Sequence, residues 1–251
     1  MLASIPLKDI QIQDRFWKER LDLVRKEIIP YQWEAMNDRV PNAEPSHCIE
    51  NYRIAAGQAQ GSFYGEVFQD SDLAKWLEAV AYVLSFQPDP KLEKLADEAI
   101  ELVCAAQQSD GYLNTFFTIK EPDQRWRNLR EGHELYCAGH MMEAAVAYFE
   151  ATGKRRLLDA MMRFADLICN TFGPEEGKIH AYPGHEEVEL ALFRMYRATG
   201  VRRYLELSAY FINCRGTGEN YFRKENDRPG YLPIWGSMAV SYTHLTLPTN
   251  S

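Results

Sequence analysis

Apolar residues recur at spacings of three and four along most of the chain, the period of a helix with one buried face. Trp17, Leu21, Val24 and Ile28 form the first stripe, and Leu73, Trp76, Leu77, Val80 and Leu84 the second. Further stripes are Leu92, Leu95, Ala99 and Val103, then Ala138, Met141, Met142, Ala145 and Phe149. Leu157, Met161, Phe164, Ala165 and Ile168 follow, then Val188, Ala191, Leu192 and Met195, and finally Tyr204, Leu207, Ser208 and Phe211. Each predicts an amphipathic helix whose Met and aromatic positions are packing. Local stop signals agree. Thr152-Gly153 and Thr199-Gly200 place a glycine where a left-handed helix end is wanted. Pro88-Asp89-Pro90 breaks one helix and opens the next, and Ser109-Asp110-Gly111 and Phe172-Gly173-Pro174 read as turns.

The pattern repeats. Ala151-Thr152-Gly153-Lys154-Arg155-Arg156-Leu157-Leu158 returns 47 positions later as Ala198-Thr199-Gly200-Val201-Arg202-Arg203-Tyr204-Leu205. Ala79-Val80-Ala81-Tyr82 is echoed by Ala145-Val146-Ala147-Tyr148. The unit is a helix, a tight turn and a returning helix, then a longer loop. The predicted fold class is therefore all-α, with helical hairpins stacked in an open solenoid or closed into a ring. Long polar and aromatic loops, such as 111–117 and 180–185, favour the ring and place a binding face on its rim.

Composition narrows the function. With 28 Lys+Arg against 36 Asp+Glu the net charge is −8, which disfavours a nucleic-acid footprint. No uncharged apolar run has the length of a membrane span. The start lacks a basic segment followed by an apolar core, so no secretory signal is read and the expectation is a cytoplasmic chain. Five cysteines (Cys48, Cys104, Cys137, Cys169 and Cys214), with no CxxC pair, read as reduced, partly buried thiols. The final twelve residues, Val240 to Ser251, carry no charge and break from what precedes them. One frame encoding Val240 to Thr249, GTC TCT TAT ACA CAT CTG ACG CTG CCG ACG, matches the transposon end used as a sequencing adapter. Residues 240–251 are therefore expected to be adapter translation and 1–239 part of a larger catalytic domain. His244 is given no role.

Two helix entrances carry the candidate chemistry. His133, Cys137 and His140 lie at i, i+4 and i+7, on one helical face, but the spacing is not HExxH and a fourth ligand would be needed for zinc. The reading as a helix start with a core-facing thiol is preferred. His185 in Pro183-Gly184-His185-Glu186-Glu187 occupies the equivalent place in the next hairpin. Glu186 and Glu187 suit a helix first turn without any function. In a ring both histidines would share a rim, where neutral imidazoles hydrogen-bond sugar hydroxyls. Gln69 and Asp70 are further rim candidates, with Asp70 or Ser71 also a natural N-cap. Asp110 and Tyr112 are placed where they can touch a sugar. No GxSxG, Walker A or GxGxxG element is present. From the residues alone, a catalytic carboxylate pair cannot be chosen among so many acids.

Several segments taken together resemble glycoside hydrolase family 127, the β-L-arabinofuranosidase family. These are 28–38 (IIPYQWEAMND), 68–76 (FQDSDLAKW), 110–113 (DGYL), 133–140 (HELYCAGH) and 184–192 (GHEEVELAL), with the likeness running from about Ile5 to Tyr221. The chain also starts where family members start. The resemblance implies part of an (α/α)6 barrel, truncated before it closes and before β-sandwich domains. It implies a retaining hydrolase that releases terminal β-L-arabinofuranosyl residues, with a zinc-bound cysteine nucleophile and glutamates as acid/base and metal ligand. In family order those groups lie past Tyr221, so zinc belongs to the full-length parent and this fragment is expected to bind none and to be inactive. His133 and His185 match family histidines lining the sugar pocket, with Gln69 and Asp70 as weaker substrate-binding candidates. The implied partner is an L-arabinofuranose-containing oligosaccharide or glycoconjugate, and a homodimeric parent is allowed. The competing readings are another α/α-barrel sugar enzyme, a 2-epimerase or unsaturated uronyl hydrolase, and a non-catalytic helical-repeat scaffold.

Overall fold

The computed structural model describes residues 5–215 and 221–226. The adapter reading of 240–251 lies outside them. Helix α1 (Arg15–Leu23) runs through a wider helical turn at Val24–Ile28 into α2 (Ile29–Met36). A short α3 (Cys48–Ala55) precedes the first hairpin, α4 (Asp70–Phe86) and α5 (Pro90–Ala106). After a one-turn α6 (Thr115–Ile119) come the hairpins α7 (Glu134–Thr152) with α8 (Arg156–Thr171) and α9 (Val188–Thr199) with α10 (Arg202–Cys214). Helix α11 (Tyr221–Asn226) closes the described part. Among the described residues there is no strand, only an isolated bridge between Phe172 and Ile179.

The hairpins form two layers. Helices α4, α7 and α9 pack side by side, with α2 against α4, while α5, α8 and α10 back them. Side-chain pairs show that the inner helices run the same way. Lys75 meets Tyr136 near the helix starts, and Arg194 meets Glu78 and Glu143 further along. Parallel inner helices each followed by a returning outer one make an arc of an α/α barrel, and their N-terminal ends share one rim. Helix α7 sits mid-arc and is buried almost all round, from Leu135 through Tyr148.

The local stop signals act as read. Asp89 caps α5 by accepting from the Leu92 amide at 3.1 Å. Gly153 and Gly200 both adopt φ 76°, and their amides close the preceding helices on Phe149 and Tyr196. The threonine before each glycine donates its hydroxyl to the carbonyl four residues back, at 2.7 Å for Thr152 and 2.6 Å for Thr199. The 47-residue repeat is thus a repeated helix ending.

The first stripe is corrected. Trp17 is 58% exposed and Ile28 40%, so both ends of the stripe face solvent and only Val24 packs against the edge of the core. The wide turn at Val24–Ile28 adds a residue to one turn and moves the register. The buried side of this helix becomes Ile29 and Met36, with Trp33 stacked 4.6 Å from Trp76 and the Trp76 indole donating to the Ile29 carbonyl. At the other edge of the arc, Leu190 and Phe193 of α9 also face solvent.

Burial therefore decides what a truncation costs. Leu77→Ala, at a fully buried site on α4, should lower stability by about 2–5 kcal/mol. Leu190→Ala, 51% exposed, should stay within about 0.5 kcal/mol of the parent. Urea midpoints check this, and equal losses would refute the arc.

Candidate functional site

The rim is built on the left-handed turn at His133. This residue precedes α7 with φ 55°, an uncommon conformation for a side-chain-bearing residue. Its Nδ1 lies against the Glu131 carbonyl oxygen, which can only accept, so Nδ1 carries the proton. The remaining Nε2 lone pair faces His185 Nε2 at 2.8 Å. His185 is therefore the donor, and the pair presents one proton between two nitrogens. Both imidazoles are buried. Burial lowers the pKa of each, and His185, beside His133, falls to about 4. A second proton would set N–H against N–H, so the pair stays neutral near pH 7.

Around the pair lies a band of polar and aromatic groups. The Tyr136 ring packs 5.5 Å from His133 and 5.3 Å from His185, and edge-on to His140 at 4.5 Å. Lys75 on α4 donates to the Tyr136 hydroxyl at 2.9 Å. Lys75 also lines a cavity of about 490 Å³ with Gln32, Gln69, Asp72 and Trp76. Gln69 donates to Ser46 at 3.1 Å and Asp72 at 2.8 Å, and its oxygen receives the Glu66 amide. A larger cavity, about 660 Å³, lies at the opposite end of the inner helices, between residues 5–8 and α9, away from the histidines.

His133, His185 and Gln69 thus share one band at the starts of the inner helices. Asp70 is placed differently. It is buried, and its two carboxylate oxygens accept from the Thr115 amide at 2.7 Å and the Thr115 hydroxyl. Burial raises its pKa to about 6, against the lowering effect of those bonds. It caps no helix of its own but anchors the start of α6, which is also capped by Asn114. Tyr112 is fully buried and donates to Glu134, so it cannot touch a rim ligand. Asp110 pairs with Arg125 at 3.0 Å, and the Arg125 guanidinium lies 3.8 Å over the Tyr112 ring. Glu134 also accepts from the Trp126 amide, and burial pushes its pKa to about 8. It ties the loop before α7 to the helix start.

The three residues at i, i+4 and i+7 do not converge. His133 turns to His185, the Cys137 thiol to the Phe68 carbonyl, and His140 Nδ1 to Glu187 at 3.2 Å. Among the described residues no group of three His, Cys, Asp or Glu is placed to hold a metal ion. The five thiols are unbridged. Burial pushes Cys48 and Cys137 well above the usual thiol range, the reverse of what a thiolate ligand needs. These residues do not fit a zinc–thiolate centre. No described helix is long and apolar enough to cross a membrane. Sequence reading missed Gln32, Lys75 and Tyr136. Tyr136 sat within the His133 motif and Lys75 within that of Gln69, but only packing joins the two.

The hairpin arc and its imidazole rim define an α/α-barrel protein. Comparison with known proteins is specific. Residues 9–235 match the model of the β-L-arabinofuranosidase GH127 catalytic domain. A non-reducing end β-L-arabinofuranosidase of Bifidobacterium longum subsp. longum is 43% identical over 233 residues, covering 86% of this chain and 35% of that protein. The crystal structure of a GH127 β-L-arabinofuranosidase from Geobacillus stearothermophilus T6 superposes with a TM-score of 0.85 at 63% identity, covering 87% of this chain and 34% of that one. A second solved GH127 β-arabinofuranosidase gives 0.79 at 33% identity, covering 86% and 34%. The chain belongs to glycoside hydrolase family 127. It spans about a third of the length of the curated relative it matches.

The histidine pair has a pH signature. His185 has a folded pKa below its unfolded value, so its stabilising contribution is complete above about 6.5 and is lost as pH falls through about 4. In urea unfolding between pH 4 and 7, His185→Gln should flatten the acid-side decline relative to the parent. An unchanged slope would refute the buried neutral imidazole.

Proposed function

We propose that this chain supplies the sugar-binding rim of a retaining β-L-arabinofuranosidase that releases terminal β-L-arabinofuranosyl residues from an oligosaccharide or glycoconjugate. The observation that carries the reading is the His133–His185 contact at 2.8 Å, set on the starts of adjacent inner helices. A neutral imidazole pair meets a sugar without the cost of desolvating a charge, and a ring hydroxyl would take the place of one imidazole in the His133–His185 bond. Tyr136 supplies an apolar face beside it, and Gln69 and Lys75 extend the polar band toward α4. Asp70 serves the rim by fixing α6 through Thr115.

The reacting groups are proposed to lie in the part of the longer relatives that this chain does not span. They comprise a zinc-bound cysteine nucleophile with its acid/base and ligand glutamates. Zinc there would lower the thiol pKa and hold the thiolate in place. The 251-residue chain alone is then inactive and binds no zinc, and the whole protein acts in the cytoplasm. The full-length parent, as a monomer or a homodimer, needs neither nucleic acid nor membrane.

Two assays test this. The purified chain should release no L-arabinose from a β-L-arabinofuranoside, and any release above a heat-killed control would overturn the assignment. In the full-length parent, His185→Ala should lower kcat/KM by about tenfold or more, the worth of one or two lost hydrogen bonds. An unchanged value would remove the pair from the sugar site.

A further inference from the structure

The two histidines come from different hairpins, so something must set the distance between the segments that carry them. Two glycines sit at the points of closest approach. Gly139, inside α7, faces the entry to α9. A Cβ there would stand 2.8 Å from Glu187 Cγ and 2.9 Å from the Val188 amide nitrogen. Gly184, next to His185, faces the loop before His133. A Cβ there would stand 2.8 Å from Arg130 Cα and 2.9 Å from its carbonyl carbon, and the Gly184 amide donates to the Leu129 carbonyl at 2.9 Å.

Neither glycine has a left-handed backbone. Only the neighbour's proximity excludes a side chain. Glycine inside a helix is less favourable than alanine, so Gly139 is locally unfavourable in α7 and is explained by the approach it allows. The two contacts flank the imidazole pair, one at the start of α9 and one in the loop that leads to it. Gly153 makes a control. Its φ is 76°, so a side chain strains it, yet a Cβ would meet nothing within 4 Å.

We propose that Gly139 and Gly184 are the positioning residues of the histidine pair: they let the entry to α9 seat against α7 and its preceding loop, and thereby hold the two imidazoles at hydrogen-bond distance. The purpose of the pair rests on the sugar-binding reading, but the spacing does not, and the test reads imidazoles rather than sugar.

The test is acylation of imidazoles by diethyl pyrocarbonate in the 251-residue chain, followed by peptide mass spectrometry, with exposed His180 as internal reference. In the parent, His133 and His185 should react at least about tenfold more slowly than His180. In Gly139→Ala and Gly184→Ala both should approach the His180 rate while helical circular dichroism is retained. Gly153→Ala should lose stability and keep both histidines slow. If the alanine variants fold and their histidines stay slow, the proposal is overturned. If they fail to fold, the parent decides it through the nuclear Overhauser contact between Gly139 Hα and the Val188 amide. Its presence with slow imidazoles upholds the proposal, and its absence overturns it.

Discussion

A helix buried on every side must meet its neighbours with whatever its sequence supplies. Helix α7 is in that position, wedged between α4 and α9 and backed by α8. Its apolar positions fill the core, and its few polar ones must find partners or face a shared space. Glu134 takes Tyr112 and Trp126, His140 takes Glu187, and Glu143 takes Arg194. What remains at the helix start is His133, turned out of the helical path and toward His185. The rim chemistry follows from that packing.

The interior polar groups follow one rule. Near the rim, burial raises the pKa of the carboxylates, and the hydrogen bonds that Asp70 and Glu134 accept lower it again only in part. Asp70 at about 6, Glu187 at about 7 and Glu134 at about 8 are all raised by burial. Each joins two elements: α4 to α6, α9 to α7, and α7 to the loop before it. The residues bordering the histidine pair are thus chiefly structural acids. That is consistent with a chain that shapes a sugar site, whose reacting acid and nucleophile we place elsewhere.

Much of the hairpin order was legible because it is written in local chemistry. Gly153, Gly200 and Pro90 stop and start helices through their own backbone preferences, and the apolar spacing needs no partner to be read. The misreadings came from an irregular turn inside one helix and from residues distant in sequence. The stripe from Trp17 to Ile28 assumed one uninterrupted period, and a single wide turn broke it. Tyr112 looked like a rim residue because its loop is polar, but Glu134, more than twenty positions away, draws it inward. The short helices α3 and α6 carry too few turns to show a period. The likeness of His133 and His185 was visible from their places in the repeat. Their contact was not, because it depends on how close two glycines let the hairpins come.

At the inner helix starts the imidazole pair is where we propose that the sugar binds. The most direct measurement follows the ε1 carbon–proton resonances of the six histidines during titration with L-arabinose. Saturable shifts are expected at His133 and His185, a smaller one at His140, and none at His47 or His180. Shifts confined to the exposed histidines, or no shift at the pair at saturating sugar, would contradict it.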